Sequence, residues 1–269
     1  MRAIVTGAAR GIGRAVARRL ASDARASSAA GPGHLLLADL HAAELDTLAA
    51  ELRAGGTEVL TWPADLADAS APTGLAECAL AGFGGLDLVV ANAGYGKGGT
   101  LMEFEPNDWD RNFAVHVRGP WLLARAVHAA LRDSRGAFIF TGSISGTHAT
   151  PALGAYGPSK AAMLMLMRQL AVDWGPDGIR VNAVSPGLTH TSGTDVVYSN
   201  PGVKARRAGQ IPVRRVAEPE EMAGAVAFLA GPDAAYVQGH DLVVDGGLSS
   251  CLMPNLGMAE VWGGKTTGH

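Results

Sequence analysis

Three side chains in one stretch of the chain, Ser143, Tyr156 and Lys160, could together move a proton on and off an oxygen atom. Tyr156 and Lys160 are four residues apart, so on a helix they lie on one face, a single turn from each other. A lysine ammonium beside a phenol favours the phenolate and lowers the pKa of a group that ordinarily titrates near ~10. The pair could serve as an acid or a base near neutral pH, although this spacing is often only a solvated helix face.

Ser143 adds a hydroxyl group to this pair. It follows residues 136–141, an apolar segment that predicts a buried strand. Open α/β sheets bind their ligands beyond the carboxyl ends of the strands. The Ser143 hydroxyl could therefore hydrogen-bond a substrate oxygen.

A glycine-rich turn near the N-terminus predicts a phosphate-binding loop. Gly7, Gly11 and Gly13 fall between a short apolar strand, residues 2–6, and a helical pattern that begins at Arg14. Glycines let the backbone turn tightly and approach a pyrophosphate, and the helix N-terminus favours the anion. The spacing differs from the common G-x-G-x-x-G, so the argument rests on the position between strand and helix.

Asp39 and Arg10 favour different dinucleotides. Asp39 ends the second predicted strand, residues 34–38, where a carboxylate can accept hydrogen bonds from the ribose hydroxyls of NAD and would repel the 2′-phosphate of NADP. Arg10, in the glycine turn, could bind that phosphate or be only a solvated charge. We favour NAD, because the carboxylate lies where the phosphate would have to go.

Two further segments follow predicted strands. Asp65 and Leu66 come after the third strand, where the acid could meet the adenine amino group or cap a helix. Asn92, Ala93 and Gly94 end the fourth strand, and small residues there allow a ligand to approach the backbone closely.

The composition predicts one globular α/β protein. The 269-residue chain is 48% hydrophobic and 17% charged, and alternating strand and helix patterns over residues 1–247 predict a single doubly wound domain of about seven parallel strands. A net charge of −3 without a basic run or a membrane-length apolar run indicates no nucleic-acid or membrane partner. Cys78 and Cys251 lack metal-ligand spacing, so no metal is expected. Two ordinary thiols and a strand beginning almost at Met1 predict a cytoplasmic protein.

These motifs occur together in a familiar order. They are Thr6-Gly7-x-x-x-Gly11-Ile12-Gly13, Asn92-Ala93-Gly94, Ser143, Tyr156-x-x-x-Lys160 and Pro186-Gly187. With them the chain resembles the short-chain dehydrogenase/reductase family over almost its whole length. The resemblance implies a Rossmann-type fold and hydride transfer between NAD(H) and a secondary alcohol or ketone. It implies Tyr156 as the acid and base, Lys160 as the group that lowers the Tyr pKa and holds the nicotinamide ribose, and Ser143 as the donor to the substrate oxygen.

The candidate cofactor-binding residues come from the loops that follow the strands. They are Gly7, Arg10, Gly11, Ile12, Gly13, Asp39, Asp65, Leu66, Asn92, Ala93, Gly94, Tyr156, Lys160, Pro186, Gly187 and Thr191. For Pro186, Gly187 and Thr191 the expectation rests on the resemblance alone.

One position departs from the family. Seven residues after Trp109, on a helix predicted to run on to Leu131, the family has an Asn that helps to hold a water linking the active-site Lys to solvent, and here that residue is His116. An imidazole could keep this proton relay, or His116 could be an ordinary helix histidine with satisfied hydrogen bonds. A relay role predicts an extra group titrating near ~6.5 in the pH profile. Asn112, one turn earlier, lies outside the matching register.

Residues 188–217 predict a substrate lid. They are polar and lack strong periodicity, which is typical of a loop that covers a site. Within them His190, Tyr198, Asn200 and Arg206 could each contact substrate or only solvent.

The rest of the C-terminal third predicts contacts between subunits. Residues 163–167 are apolar on nearly all sides of their helix, which predicts burial on both faces, one of them in a subunit interface. The resemblance implies a homo-oligomer, with a tetramer as the expected form. The apolar tail, residues 248–269, should pack near the active site or on a neighbouring subunit through residues 258–262.

Two other functions stay open. The first is an NADP-dependent ketoreductase of the same family, in which Arg10 decides the cofactor. The second, from another class, is a non-catalytic dinucleotide-binding sensor or scaffold, and only the departure at His116 favours it. The apolar tail suggests a partly apolar substrate, while a sugar or polyol also stays open.

Overall fold

A seven-stranded parallel sheet forms the centre of the protein in a computed structural model that describes residues 1–26 and 33–251. The strand order is β3-β2-β1-β4-β5-β6-β7. The strands are β1 (Arg2–Thr6), β2 (His34–Asp39), β3 (Glu58–Pro63), β4 (Leu88–Ala91), β5 (Ala137–Thr141), β6 (Arg180–Pro186) and β7 (Asp241–Val244). The predicted fold class, a Rossmann-type doubly wound sheet of about seven parallel strands, is confirmed.

Helices cover both faces of the sheet, which is why β1, β2, β4 and β5 are apolar nearly throughout. They are α1 (Gly11–Ala26), α2 (Ala42–Ala54), α3 (Ala71–Phe83), α4 (Pro106–Phe113), α5 (Gly119–Ser134), α6 (Tyr156–Trp174), α7 (Asp195–Tyr198), α8 (Pro201–Gln210) and α9 (Pro219–Ala230). Helices α1, α2 and α9 bury their apolar sides in one core, and α3, α5 and α6 bury theirs in the other.

The strand order reverses next to β1, which pairs with β2 on one side and with β4 on the other. Connections from neighbouring strands leave in opposite directions at this point and open a crevice at the carboxyl edge of the sheet. The loops that carry the candidate site residues all leave from this edge.

The helix predicted from Asn107 to Leu131 is interrupted. A π-helical segment, Ala114–Arg118, separates α4 from α5. Pro120 lacks the N–H that an α-helix would direct at the carbonyl of His116, and its ring crowds that carbonyl. The wider turn of a π-helix accommodates both the missing N–H and the ring of Pro120. His116 lies inside this segment, and π-helical turns often occur at functional sites.

The predicted lid contains more regular structure than its sequence pattern indicated. Helix α8 begins after Asn200, whose Oδ1 accepts hydrogen bonds from the backbone N–H groups of Gly202 (3.0 Å) and Val203 (3.3 Å). Pro201 stands at the first helical position, where its missing N–H costs nothing. The capping signal, an Asn followed by a Pro, was therefore present in a segment without strong periodicity. The predicted contact of residues 258–262 lies outside the described residues.

Candidate active site

Ser143, Tyr156 and Lys160 line one cavity of about 870 Å³ at the carboxyl edge of the sheet. Ser143 follows β5 and is 8% exposed, and its Oγ accepts a hydrogen bond from the backbone N–H of Ser145 (3.1 Å). Tyr156 is the first residue of α6, and Lys160 lies one turn further along it. The fold thus brings together the three side chains that sequence reasoning placed in one site.

Lys160 is buried, and its ammonium has one protein acceptor. The Nζ atom donates to the backbone carbonyl of Thr141 (2.7 Å) and lies 5.7 Å from the centre of the Tyr156 ring. Burial disfavours the charged form and lowers the pKa of Lys160 from its usual 10.5 to about 7. The lysine can therefore gain or lose a proton near neutral pH.

This shift predicts a pH-dependent stability. Between pH 7 and pH 10.5 the unfolded chain holds a proton on Lys160 that the folded protein lacks, so stability rises with pH. The linkage relation gives a gain of about 2 kcal/mol between pH 7 and pH 9. We expect thermal melts of the protein without cofactor to show this rise, and Lys160→Met to remove it. The same slope in both proteins would contradict the assignment.

The pKa of Tyr156 is raised in the structure, not lowered as the Tyr–Lys spacing suggested. Burial among protein atoms disfavours the phenolate and is the larger effect, and a hydrogen bond with Ser143 opposes it. The ring itself is partly accessible from the cavity. Lys160 does not offset this effect, because burial lowers its own pKa to about 7 and so reduces its charge near neutral pH. A lowered pKa for Tyr156 thus requires a positive charge close to the phenol.

His116 is completely buried, and both of its ring nitrogens have protein partners. The backbone N–H of Tyr95 donates to Nε2 (3.0 Å), so Nδ1 carries the proton and donates to Ser159 Oγ (2.8 Å). Ser159 then donates to the backbone carbonyl of Tyr156 (2.8 Å). Burial, with Lys160 as the second cause, holds the pKa of His116 well below its usual 6.5.

This chain of hydrogen bonds favours a positioning role for His116 over a proton relay. The imidazole stays neutral, and its edge packs against the Tyr156 ring with centroids 5.4 Å apart. The residue does not line the cavity. His116 therefore does not favour the alternative of a non-catalytic sensor or scaffold. Asn112 is also buried, and it donates from Nδ2 to the carbonyl of Asp108 (2.8 Å) rather than facing the cavity.

The glycine turn is packed too tightly for side chains. A Cβ on Gly13 would lie 2.0 Å from the carbonyl oxygen of Gly7, and one on Gly7 would lie 2.8 Å from Ala93 Cα. Gly7 also has a φ of +64°, which disfavours other residues. Gly7 and Gly11 line the cavity, but Gly13 does not. Its role is to let α1 approach the turn closely, so that the helix N-terminus faces the cavity.

Asn92 ties the glycine turn to the neighbouring strands. Its Nδ2 donates to the carbonyls of Thr6 and Gly7 (both 3.1 Å), and its Oδ1 accepts from Thr141 Oγ1 (3.0 Å). Thr6 in turn accepts the backbone N–H groups of Asn92 and Ala93 at Oγ1 (both 3.0 Å). Thr6 belongs to the glycine motif, but sequence reasoning assigned it no role. Thr141 was missed as a supporting residue, because a Thr at a strand end carries no distinctive sequence signal.

Asp39 lines the cavity with both carboxylate oxygens engaged. Oδ2 accepts the backbone N–H of Ala9 (2.9 Å) and Oδ1 that of His41 (3.0 Å). The carboxylate therefore also holds the glycine turn in place. Arg10 lines the cavity as well, but its guanidinium forms an ion pair with Glu44.

Asp65 does not cap a helix, since α3 begins only at residue 71. Its Oδ1 accepts the backbone N–H of Ala67 (2.9 Å), and its Oδ2 pairs with Arg111 (2.7 Å). Burial raises the pKa of Asp65, but this hydrogen bond and the ion pair outweigh it and leave the pKa below its usual value. The carboxylate is ionised at the cavity wall.

The other candidate cofactor-binding residues also line the cavity. They are Ile12, Leu66, Asn92, Ala93, Gly94, Pro186, Gly187 and Thr191. No group of three His, Cys, Asp or Glu side chains that could hold a metal ion occurs in residues 1–26 and 33–251. Within the same residues no helix is long and apolar enough to cross a membrane.

The fold and this site define an NAD(P)-binding α/β oxidoreductase. A family model described as Enoyl-(Acyl carrier protein) reductase matches residues 7–249. Human dehydrogenase/reductase SDR family member 2, mitochondrial, is 35% identical over 246 residues, which cover 91% of this chain and 85% of the relative. The 2-(S)-hydroxypropyl-CoM dehydrogenase 3 of Xanthobacter autotrophicus is 34% identical over 252 residues, covering 91% of this chain and 95% of the relative. The chain belongs to the short-chain dehydrogenase/reductase family.

A solved structure shows the same architecture. It is a protein from Beutenbergia cavernae, assigned as an NAD(P)-dependent gluconate 5-dehydrogenase and crystallised with NADP at low occupancy. Its TM-score is 0.83 and its identity 33%, over 92% of this chain and 96% of the other.

Proposed function

We propose that the protein transfers a hydride between NAD(H) and a secondary alcohol or ketone, with Ser143, Tyr156 and Lys160 as its catalytic residues. The observation that carries this proposal is that the three side chains line the same cavity as the glycine turn. The similarity to a hydroxypropyl-CoM dehydrogenase supports the same reaction class. Because the fold alone does not decide function, the argument rests on these side chains.

The residues present fit a dinucleotide. A turn with no room for a Cβ at Gly7 or Gly13 leaves backbone N–H groups as the donors that a pyrophosphate needs. When bound, the nicotinamide supplies the carbon that accepts or donates the hydride. Pro186 and Gly187 lie at the end of β6, where they would border that ring.

The protein's own part in the reaction is proton transfer at the substrate oxygen. In oxidation Tyr156 takes the proton of the alcohol, and in reduction it returns that proton to the forming alkoxide. The Ser143 hydroxyl donates a hydrogen bond to the same oxygen. Because the pKa of Lys160 is about 7, its amine can be protonated near neutral pH. The positive charge then lies close to the phenol of Tyr156 and stabilises the phenolate. His116 positions Tyr156 from behind.

NAD is the cofactor that we propose. The Asp39 carboxylate at the end of β2 favours ribose hydroxyls over a 2′-phosphate. The ion pair with Glu44 also competes with a phosphate for the Arg10 guanidinium, although both side chains are exposed and the pair is weak. NADP is the alternative cofactor, and the NADP bound in the Beutenbergia structure favours it.

The proposed reaction is tested by NADH formation from NAD across secondary alcohols that range from apolar to polyhydroxylated. We expect turnover with at least one class of alcohol, and a rate at least about 100-fold lower with the Tyr156→Phe variant. No NADH formation with any of these alcohols, together with intact NAD binding, would instead favour the non-catalytic sensor. A cytoplasmic location stays a prediction.

An apolar surface on three helices supports a homo-oligomer. Trp109 and Phe113 on α4, Val117 in the π segment, Trp121 on α5 and Leu166 on α6 line an open groove of about 460 Å³. Trp121 is 41% exposed, and Met165 beside the groove's Leu166 is 61% exposed. Residues 163–167 thus present one buried and one open side, as the interface prediction requires. We propose that a second copy covers this face, with a tetramer as the complete assembly.

We expect Trp121→Glu to reduce the solution mass measured by light scattering. A carboxylate in this contact would lose its hydration when a second copy covers it, and the nearby Arg125 and Arg118 would offset this cost only in part. Met102→Glu is the control, because Met102 is 94% exposed in the loop before α4. An unchanged mass for Trp121→Glu would place the contact elsewhere.

A further inference from the structure

The lid contributes one charged side chain to the lining of the cavity. The lining residues from 188–217 are Leu188, Thr189, Thr191, Ser192, Gly193, Thr194, Val197, Tyr198 and Arg207. Eight of these nine are uncharged, and the ninth, Arg207, is a partly buried guanidinium on α8. A partly buried cation among apolar and hydroxyl groups calls for a counter-charge.

The other cations of the cavity already have partners. Arg10 pairs with Glu44, Lys97 with Asp108, and Arg111 with Asp65. Lys160 donates to a backbone carbonyl. Within residues 1–26 and 33–251, Arg207 forms no ion pair.

Arg207 is held by an aromatic ring. Its guanidinium carbon lies 5.5 Å from the centre of the Tyr198 ring, and NH1 is 3.4 Å from the Tyr198 hydroxyl oxygen. Tyr198 is only 5% exposed and packs with Ile211 and Val216 in a small core within the lid. This arrangement fixes the guanidinium while leaving most of its five N–H donors free for a ligand.

The net positive charge of the lid also favours an anionic ligand. Residues 188–217 contain five Lys and Arg side chains and one acid, Asp195, in a chain whose net charge is −3. Asp195 is paired with His190, and Arg215 with Glu221. A positive lid on an acidic protein attracts anions to the mouth of the site.

We infer that the substrate carries a carboxylate that Arg207 binds, so that the enzyme acts on a secondary hydroxy acid or the corresponding keto acid. This inference rests on the proposed function. A single guanidinium matches one negative charge, and its planar pair of N–H donors matches the two oxygens of a carboxylate. A phosphate dianion would leave one of its two charges unmatched by this guanidinium. The sequence had singled out the neighbouring Arg206, but Arg206 is exposed and lies outside the cavity lining.

The test compares each hydroxy acid with its uncharged amide: 3-hydroxybutanoate with 3-hydroxybutanamide, and 5-hydroxyhexanoate with 5-hydroxyhexanamide. We expect kcat/KM for at least one acid to exceed that for its amide. Arg207→Gln should lower kcat/KM for that acid by about 10- to 100-fold, mainly through KM, while changing the amide by less than about 3-fold. Arg206→Gln removes the same charge one residue away and is the matched control.

Several outcomes would overturn the inference. Amides used as well as their acids, or equal losses in the Arg206→Gln and Arg207→Gln variants, would leave the reaction class standing and remove the carboxylate site. A preference for 2-hydroxypropylphosphonate over both acids would identify a different anion. If no alcohol is turned over, the proposed function fails, and the carboxylate site at Arg207 is then tested by ligand binding alone. Hexanoate should then raise the melting temperature of the NADH complex, but not that of the Arg207→Gln variant, and no rise in the wild type would remove the site as well.

Discussion

Replacing Tyr156 with Phe should lower kcat by about 10²- to 10⁴-fold, the usual contribution of a positioned acid or base. The change removes one oxygen atom, and the ring keeps its packing against His116. NADH affinity should stay within about 3-fold of the wild type, because the glycine turn and Asp39 are untouched. Stopped-flow absorbance measures turnover, and quenching of tryptophan fluorescence measures NADH binding.

Tyr95→Phe is the matched control for this experiment. Tyr95 also lines the cavity, but its hydroxyl donates to Asp108 (2.9 Å) and has no part in the proposed proton transfer. We expect its kcat to fall by less than about 10-fold. Equal losses in the two variants would show that the cavity tolerates neither change and that Tyr156 has no special role. Full activity of Tyr156→Phe would remove the mechanism.

Replacing Asp39 with Asn should shift cofactor preference toward NADP by about 100-fold in the ratio of kcat/KM values. Repulsion between a carboxylate and a phosphate in a partly enclosed site costs several kcal/mol, and about 2.7 kcal/mol corresponds to this factor. An Asn side chain keeps an oxygen that can accept the backbone N–H of Ala9, so the glycine turn should stay in place. Initial rates with both cofactors measure the shift.

Two further variants separate the causes of that shift. Asp65→Asn removes a second carboxylate from the cavity wall, beside Arg111 rather than beside the glycine turn, and should change the two cofactors alike. Adding Arg10→Gln to Asp39→Asn should abolish the gain with NADP if Arg10 binds the 2′-phosphate. A wild-type enzyme that already prefers NADP would show that the NAD assignment is wrong.

Much of the candidate site could be predicted because parallel strands with crossover helices bring all their carboxyl ends to one edge of the sheet. Any polar residue at such an end therefore lies near the others, however far apart they are in the chain. Ser143 after β5 and Asp39 at the end of β2 follow this rule. The spacing of Tyr156 and Lys160 needed only the helix period. Local sequence was sufficient for these positions.

Other properties depend on contacts between distant segments, which no local pattern encodes. The pKa of Lys160 reflects its burial in the folded protein, and the neutral state of His116 reflects the partners that Tyr95 and Ser159 supply. Sequence spacing predicted a lowered pKa for Tyr156, but burial reverses it.

The lid shows the difference between sequence and tertiary structure most directly. Arg206 and Arg207 are adjacent and chemically identical, so the sequence by itself determines that the lid is basic but not which guanidinium enters the site. Neighbouring residues on a helix point about 100° apart. Packing of Tyr198, Ile211 and Val216 holds the lid segment that carries α8, with Arg207 toward the cavity and Arg206 toward solvent. That orientation exists only once the tertiary structure has formed.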